Sequence, residues 1–271
     1  MADHVPGPLH WEQQGKYGPP MVFAHACPDD HRFWLYQMAH CSAWFRTIGI
    51  DLPGFGRSPD PLPGLTLADI AQACWETVDG ITDEQVIIQG NSLGGRVVTY
   101  MVHQRPGRVA ALIISSAGYN PRSAFAQQWL TAYQEGGIAT RRQQLVGHFS
   151  PATRESPLVQ YYIDTITETN RADAESIVET YRALAQPVPD AIYDGITAPT
   201  LIITGSLDRN HQTAFALQAR IPGSEVATIE GAGHHCNLEQ PWAFDRYVLD
   251  FLARHGLLEK PAATSGAASS R

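Results

Sequence analysis

The stretch Gln85-Val-Ile-Ile-Gln-Gly-Asn-Ser-Leu-Gly-Gly95 carries a short apolar run directly into the start of a helical pattern. Within it, Gly90, Ser92 and Gly94 form the pattern G-x-S-x-G, which occupies a tight turn between a strand and a helix. On such a turn the serine hydroxyl stands clear of the sheet, and the glycines lack the Cβ atoms that would collide with strand and helix. The stretch therefore predicts a strand over residues 85–89, a helix over residues 93–103, and Ser92 as a nucleophile.

Short apolar runs alternate with helical stretches along most of the chain. Six runs predict buried strands, over residues 20–24, 45–51, 85–89, 109–114, 199–204 and 225–229. Apolar residues recur at helical spacing over residues 67–78, 93–103 and 242–257. Continuous apolar runs are typical of strands that are covered on both faces. The alternation predicts an α/β fold, with a mostly parallel central sheet flanked by helices.

One segment, residues 120–196, interrupts this alternation. It contains helical apolar stripes and no convincing strand, which predicts a helical cap over residues 121–196, inserted across one end of the sheet. The core then comprises residues 1–120 and 197–260. Residues 261–271 are small and of low complexity, and we expect a disordered tail there.

Composition limits the classes of protein and partner. The chain has 271 residues and a formal net charge of −8, without a block of Lys or Arg, which argues against nucleic acid or an anionic membrane as a partner. Its length favours one large domain or a domain with an insertion. Four scattered cysteines indicate reduced thiols, and the first residues resemble no secretory signal. No apolar run is long enough to span a membrane, so we expect a cytoplasmic protein.

Two later segments supply the partners that a nucleophilic serine needs. Asp208 follows the predicted strand at residues 199–204, and His234 follows the next strand. A serine requires a base to take its proton, and the base requires an acid to orient it. All three side chains would lie past the carboxyl ends of strands, where open α/β sheets bind ligands.

With these motifs, the chain resembles the α/β-hydrolase superfamily, in its serine-nucleophile branch with a helical cap. The resemblance covers roughly residues 20–258 and includes Asp51-Leu-Pro-Gly-Phe-Gly-Arg-Ser58 and Gly233-His234 with Glu239-Gln-Pro241. It implies an α/β-hydrolase fold, with Ser92 as nucleophile, His234 as general base and Asp208 as the acid that orients it. Some members carry the acid one strand earlier, but no carboxylate occurs between residues 109 and 134, which favours Asp208.

The oxyanion hole is where the sequence departs from the superfamily. Members usually read His-Gly-x after the first predicted strand, whereas this chain reads His25-Ala26-Cys27. Ala26 adopts a positive φ less readily than glycine does. If the turn is kept, the backbone amides of Cys27 and Leu93 would bind the developing oxyanion.

Other clusters have weaker functional interpretations. Residues 25–31 and 234–236 contain metal-ligand side chains without a recognised zinc spacing, so we expect no metal and no other cofactor. The thiols of Cys27 and Cys236 are expected to be inert. Aromatic residues of the predicted cap either line a substrate pocket or form the core of the cap; the substrate-binding candidates are Phe125, Trp129 and Tyr161.

The function favoured at this point is a cofactor-free serine hydrolase acting on small to medium carboxylic esters or lactones through an acyl-enzyme. One alternative is a carbon–carbon bond hydrolase of the meta-cleavage type, whose members share an Asn before the nucleophile but usually carry Trp where His235 stands. Lyase, perhydrolase or dioxygenase chemistry on the same fold, or a ligand receptor with slow turnover, are further alternatives. The expected partner is a small-molecule substrate, and a homo-oligomer remains open.

Overall fold

A seven-stranded sheet forms the centre of the computed structural model, which describes residues 4–119 and 124–258. The strands are β1 (Trp11–Gln14), β2 (Pro20–Ala24), β3 (Arg46–Ile50), β4 (Val86–Asn91), β5 (Val109–Ser115), β6 (Thr200–Gly205) and β7 (Glu225–Ile229). The helices are α1 (Leu35–Cys41), α2 (Leu67–Asp79), α3 (Leu93–Gln104), α4 (Ala124–Gly136), α5 (Thr140–Gly147), α6 (Pro157–Thr169), α7 (Ala174–Ala185), α8 (Asp190–Asp194), α9 (His211–Gln218), α10 (Cys236–Glu239) and α11 (Pro241–Arg254).

The strands lie in the order β1-β3-β2-β4-β5-β6-β7. All neighbours are parallel except β1, which pairs antiparallel with β3. Because parallel strands end at the same edge, the loops that follow β4, β6 and β7 meet there. This places the segments with Ser92, Asp208 and His234 at one edge, as the sequence predicts.

Helices cover both faces of the sheet. Val22 and Ile88 pack into the core that α2 and α3 share, whereas their neighbours Met21 and Ile87 pack into the core on the other face, with α1 and α11. Side chains of a strand alternate between the faces, so a strand buried on both sides needs apolar residues at nearly every position. The predicted α/β-hydrolase architecture is confirmed.

Two details differ from the prediction. The edge strand β1 was not expected, and the last helix ends at Arg254 rather than at residue 257. β1 consists of Trp-Glu-Gln-Gln and is largely exposed, so it lacks the apolar signal of the inner strands. None of the helices in the described ranges is long and apolar enough to cross a bilayer.

Helices α4 to α8, residues 124–194, lie between β5 and β6 and are called here the inserted helices. Their apolar stripes face inward: Leu145, Ile166 and Ile177 are fully buried, and the rings of Tyr133 and Tyr181 stack at 6.0 Å between α4 and α7. They fall within the predicted cap, although the domain boundaries themselves stay a prediction. Residues 121–123 and the predicted tail, 261–271, lie outside the described residues.

Candidate active site

Ser92 lies on the turn between β4 and α3 and has φ 54° and ψ −109°. A positive φ is uncommon for a residue with a side chain and stores strain that the surrounding structure must support. The support is close packing: a Cβ on Gly90 would lie 2.2 Å from the Gly94 carbonyl oxygen, and one on Gly94 would lie 2.1 Å from the Ala24 carbonyl oxygen. The glycines of the motif are therefore required by contact, and they let α3 approach β2 closely enough to raise Ser92 from the sheet.

Asp208 and His234 form a buried hydrogen-bonded pair. Nδ1 of His234 lies 2.9 Å from Oδ1 of Asp208, which also accepts the backbone N–H of Asn210 at 3.0 Å. Burial alone would raise the pKa of Asp208, but the imidazole and the Asn210 amide outweigh it, so the net shift is downward. A carboxylate that stays ionised can hold Nδ1–H of the imidazole and leave Nε2 unprotonated.

Nε2 of His234 is buried and makes no hydrogen bond within the described part of the chain. Burial lowers the pKa of His234, and the positive charge of Arg209 lowers it further against the effect of Asp208. The imidazole is thus neutral near pH 7 and able to accept a proton. No hydrogen bond to Ser92 is formed; such contacts are often long before substrate binds. His148 is close to both residues. Its ring centroid lies 4.9 Å from that of His234, and His148 lines the same cavity as Ser92.

The turn after β2 is organised by His25. Its Nε2 accepts the Leu52 amide at 2.9 Å, and its Nδ1 lies 2.7 Å from the Ala26 carbonyl oxygen. Ala26 is fully buried and is not among the described residues with positive φ, so the turn forms here without a glycine. Among the described hydrogen bonds, neither the Cys27 nor the Leu93 amide is donated to another protein group. That these two amides bind an oxyanion stays a prediction of the superfamily resemblance.

The inserted helices contact the turn after β2 through Gln144. Gln144 of α5 donates Nε2–H to the Cys27 carbonyl oxygen at 3.1 Å and to the Tyr181 hydroxyl, and its Oε1 accepts the Tyr133 hydroxyl at 2.7 Å. All three side chains are buried. A single amide therefore ties α4, α5 and α7 to the turn that carries the Cys27 amide, an arrangement that the sequence analysis did not foresee.

A second link joins the inserted helices to the histidine loop. The carbonyl oxygen of His148, just after α5, accepts the backbone N–H groups of His234 at 2.8 Å and His235 at 3.2 Å. Glu239 adds to it: one carboxylate oxygen accepts the Gly233 amide at 2.8 Å, and the other accepts the Thr153 hydroxyl at 2.6 Å. His148 was not predicted as a site residue, because a lone histidine between two helical stretches gives no sequence signal of these contacts.

A small cavity of about 50 Å³, here called the Ser92 cavity, opens beside Ser92. Its lining residues are Cys27, Ser92, Arg96, Ser116, Ala117, Gly118, Ala126, His148, Tyr181, Leu184, Arg209 and Asn210. Trp129 is not part of this lining and packs against Tyr133, with 6.3 Å between ring centroids. Tyr161 lines a separate surface groove and is 70% exposed. Phe125 belongs to α4, but its side chain lies outside the described residues. Neither Trp129 nor Tyr161 is among the described residues that line the Ser92 cavity, and their role in substrate binding stays a prediction.

The neighbouring thiols are poorly suited to nucleophilic chemistry. Cys27 and Cys236 are buried, and burial raises the pKa of both, that of Cys236 to about 12. The thiol of Cys236 lies 3.8 Å from the Ser116 hydroxyl. A protonated thiol is a weak nucleophile and a weak metal ligand, which agrees with the expectation of inert cysteines.

Two groups of side chains in the described ranges have the composition and spacing of a metal site. Asp29, His148 and His235 are buried, with ligand atoms all within 4.8 Å of one another; His10, His31 and Asp51 form the second group. Asp51 is already engaged by the His31 imidazole at 2.7 Å and by the Arg57 amide at 2.9 Å. Asp29 and His235 come from the two runs that lack a zinc spacing in the sequence. His148 lies far from both in sequence and approaches them only in the folded chain.

The comparisons with known proteins agree with this geometry. A family model of the alpha/beta hydrolase fold matches residues 19–241, and the chain belongs to that family. A pimeloyl-[acyl-carrier protein] methyl ester esterase of Vibrio vulnificus is 25% identical, over 91% of this chain and 98% of the relative. A 2-hydroxy-6-oxononadienedioate/2-hydroxy-6-oxononatrienedioate hydrolase of Cupriavidus pinatubonensis is 28% identical, over 78% of this chain and 77% of the relative.

The solved structures extend this likeness to the whole fold. The enol-lactonase from Burkholderia xenovorans superposes with a TM-score of 0.82 at 23% identity, covering 92% of this chain and 98% of that chain. At this identity the similarity concerns the fold alone. The family model and the hydrolases among the relatives support a hydrolase.

Proposed function

We propose that the protein is a serine hydrolase that cleaves small to medium carboxylic esters or lactones without a cofactor. The observation that carries this proposal is the buried Asp208–His234 pair at 2.9 Å, in which Nε2 of His234 makes no hydrogen bond among the described residues, at the sheet edge where Ser92 occupies its strained turn. A base, the acid that orients it and a serine hydroxyl are the three elements of nucleophilic catalysis by serine.

The mechanism follows from these positions. Nε2 of His234 takes the proton of Ser92 Oγ as this oxygen attacks the carbonyl carbon, and Asp208 stabilises the imidazolium. The amides of Cys27 and Leu93 hold the tetrahedral oxyanion. The imidazolium then protonates the leaving oxygen, the carbon–oxygen bond breaks, and an acyl-Ser92 ester remains. Water, deprotonated by the same imidazole, releases the acid and restores the serine.

The test combines covalent labelling with turnover. A fluorophosphonate should label the wild-type chain on Ser92, and p-nitrophenyl esters of short acids should be hydrolysed catalytically. Ser92→Ala should lose both, with kcat reduced on the order of 10⁶-fold as in another triad enzyme. Ser42→Ala, at the end of α1 and away from the site, is the matched control. A residual Ser92→Ala rate within about tenfold of wild type would exclude Ser92 as nucleophile, because about 1.4 kcal/mol is too small for that role.

A carbon–carbon bond hydrolase is the second candidate, favoured by Asn91 before the nucleophile and by the Cupriavidus relative, which is named for hydrolysis of an oxo-dienedioate. Asn91 is buried, and its Oδ1 accepts the Ser115 hydroxyl at 2.8 Å, so it also has a structural role between β4 and β5. A panel of esters, lactones and ring-cleavage products separates the two candidates. Labelling with negligible turnover on the whole panel would support a non-hydrolytic reaction or a receptor.

The absence of a cofactor is part of the proposal and is tested separately. Activity should survive dialysis against EDTA, because every step above uses protein groups. Loss of activity on dialysis, with recovery on adding a divalent metal, would redirect attention to the Asp29, His148 and His235 group. We propose the cytoplasm as the compartment, because the four cysteines are buried and free, which is typical of proteins in a reducing environment.

A further inference from the structure

Two arginines, Arg96 and Arg209, line the Ser92 cavity. Arg96 lies one turn after Ser92 on α3, and its backbone N–H donates to the Ser92 carbonyl oxygen at 3.2 Å. Residues four apart are neighbours on one face of a helix. Arg209 directly follows Asp208 and lines the same cavity. The described lining includes these two guanidinium groups and no Asp or Glu.

The charges of these arginines act on the site. Arg96 is partly buried, and burial lowers its pKa against the phenol groups of Tyr193 and Tyr100, which raise it. Arg209 is more exposed, yet its charge lowers the pKa of both His234 and His148, so it lies within electrostatic range of the base. The carboxylate of Asp208, which raises the pKa of Arg209, is hydrogen-bonded to His234. The cavity is thus electropositive beside the nucleophile.

A cation held in a small cavity loses hydration, and an anion that enters the cavity compensates for this loss. Guanidinium groups bind carboxylates with two parallel hydrogen bonds, which are stronger than hydrogen bonds between neutral groups. Ala126 and Leu184 also line the cavity, and their side chains offer apolar surface for a short carbon chain.

We propose that Arg96 and Arg209 form a carboxylate subsite, so that the preferred substrate is an ester or lactone carrying a free carboxylate a short carbon chain away from the scissile carbonyl. This inference rests on the proposed function, since it assigns the scissile group to Ser92. Arg96 holds the carboxylate, and Arg209 attracts it at the entrance of the cavity.

The substrate test uses pairs that differ only in this charge. The mono-p-nitrophenyl esters of succinic, glutaric and adipic acid are compared with the p-nitrophenyl esters of the unsubstituted acids of the same length. We expect kcat/KM to be about tenfold or more higher for at least one anionic ester than for its neutral partner, and the ratio to fall with added NaCl. Equal kcat/KM across all three pairs, or a preference for the neutral esters, would overturn the proposal.

Variants then assign the preference to residues. Arg96→Gln should lower kcat/KM for the preferred anionic ester about tenfold or more and that for its neutral partner less than about threefold. Arg96→Lys, which keeps the charge but not the fork, should lose less. Arg142→Gln, an exposed arginine of α5, is the matched control and should leave the ratio unchanged. If Arg96→Gln does not fold, Arg209→Gln takes its place, with a reduced ratio expected. An unchanged ratio in a folded variant would remove that arginine from the subsite.

A binding experiment separates this inference from the proposed function. Glutarate and adipate are titrated calorimetrically into Ser92→Ala, with glutaramide and adipamide as uncharged controls of the same length. The subsite predicts tighter binding of the dicarboxylates, and weaker dicarboxylate binding when Arg96→Gln is added. This result holds even if no ester is turned over, in which case the function fails and the subsite stands. Equal binding of the dicarboxylates and their diamides would overturn the subsite and leave the hydrolase proposal in place.

Discussion

His234 and His235 are adjacent in sequence, but their imidazoles have different surroundings. His234 is hydrogen-bonded to Asp208 at 2.9 Å. The ring of His235 packs against Phe33 at 4.8 Å and His148 at 4.4 Å, and its Nε2 lies 3.5 Å from Oδ2 of Asp29. His235 therefore contacts His148 and Phe33, and His234 contacts Asp208. The difference gives each residue a separate predicted role.

We expect His234→Ala to lose about as much activity as Ser92→Ala, because nucleophile and base act as one unit. His235→Ala should cost about tenfold, through repacking beneath the inserted helices. The measurement is kcat for one p-nitrophenyl ester, with the melting temperature of each variant. A nearly inactive His235→Ala beside an active His234→Ala would reverse the assignment.

The pH dependence follows from the surroundings of His234. Burial and the charge of Arg209 lower its pKa below the ordinary 6.5. Only the neutral imidazole accepts the serine proton, so activity should be low below this pKa, rise as pH passes through it, and stay level above. For a neutral ester at constant ionic strength, kcat/KM should therefore rise with a midpoint below 6.5.

The control for the pH profile is Arg209→Gln. Removing a positive charge near the imidazole stabilises its protonated form, so the midpoint should move to higher pH. A wild-type profile that is flat from pH 5 to 9, or a midpoint above 7, would contradict a buried histidine base.

At the scale of elements, the sequence predicted the strands that are buried, because burial requires apolar residues. β2 is buried at all five positions, and its apolar run marked it clearly. β1 was missed because an exposed edge strand needs no apolar run and is held by pairing with β3. The turn with Ser92 was predictable because its glycines are required by close backbone contacts. The hydrogen bonds of Gln144 were not, since they join α5 to residues 117 and 37 positions away, at Cys27 and Tyr181.

Gln144 provides a prediction at this scale, as a positioning residue for the oxyanion turn. Gln144→Leu keeps the volume of the side chain but leaves the Cys27 carbonyl and the Tyr133 hydroxyl without its hydrogen bonds. We expect kcat to fall about tenfold with little change in KM, because the Cys27 amide acts on the transition state. Stability should fall by about 1–3 kcal/mol.

The matched control is Gln143→Leu, the exposed neighbour on the same helix, which should change neither value appreciably. Steady-state kinetics and urea unfolding provide the measurements. A loss of stability with unchanged kcat would show that Gln144 only holds α4, α5 and α7 together.

At the scale of the whole molecule, the site is assembled from two parts of the chain that sequence analysis treats separately. The superfamily resemblance identified Ser92, Asp208 and His234, which all follow strands of the sheet. It did not identify His148 or Gln144, because their contacts arise from the way the inserted helices settle on the sheet edge. The aromatic stripe of α4 suggested Trp129 as a pocket residue. Such a stripe predicts which face of a helix is buried, but it does not predict which residues the ring contacts.

The carbonyl oxygen of His148, shared by two backbone amides of the histidine loop, has a consequence for how the enzyme fails on heating. Lid-like segments open locally at a lower free energy than a central sheet does. If such opening moves His148 away, the backbone amides of His234 and His235 lose their hydrogen bonds to its carbonyl oxygen, while all seven strands remain paired. On heating, the enzyme should therefore lose its activity at a lower temperature than that at which the sheet unfolds. Ester hydrolysis measured in the heated cell should decline several degrees below the far-ultraviolet circular dichroism transition and recover on cooling; coincident curves would mean that loop and sheet fail together.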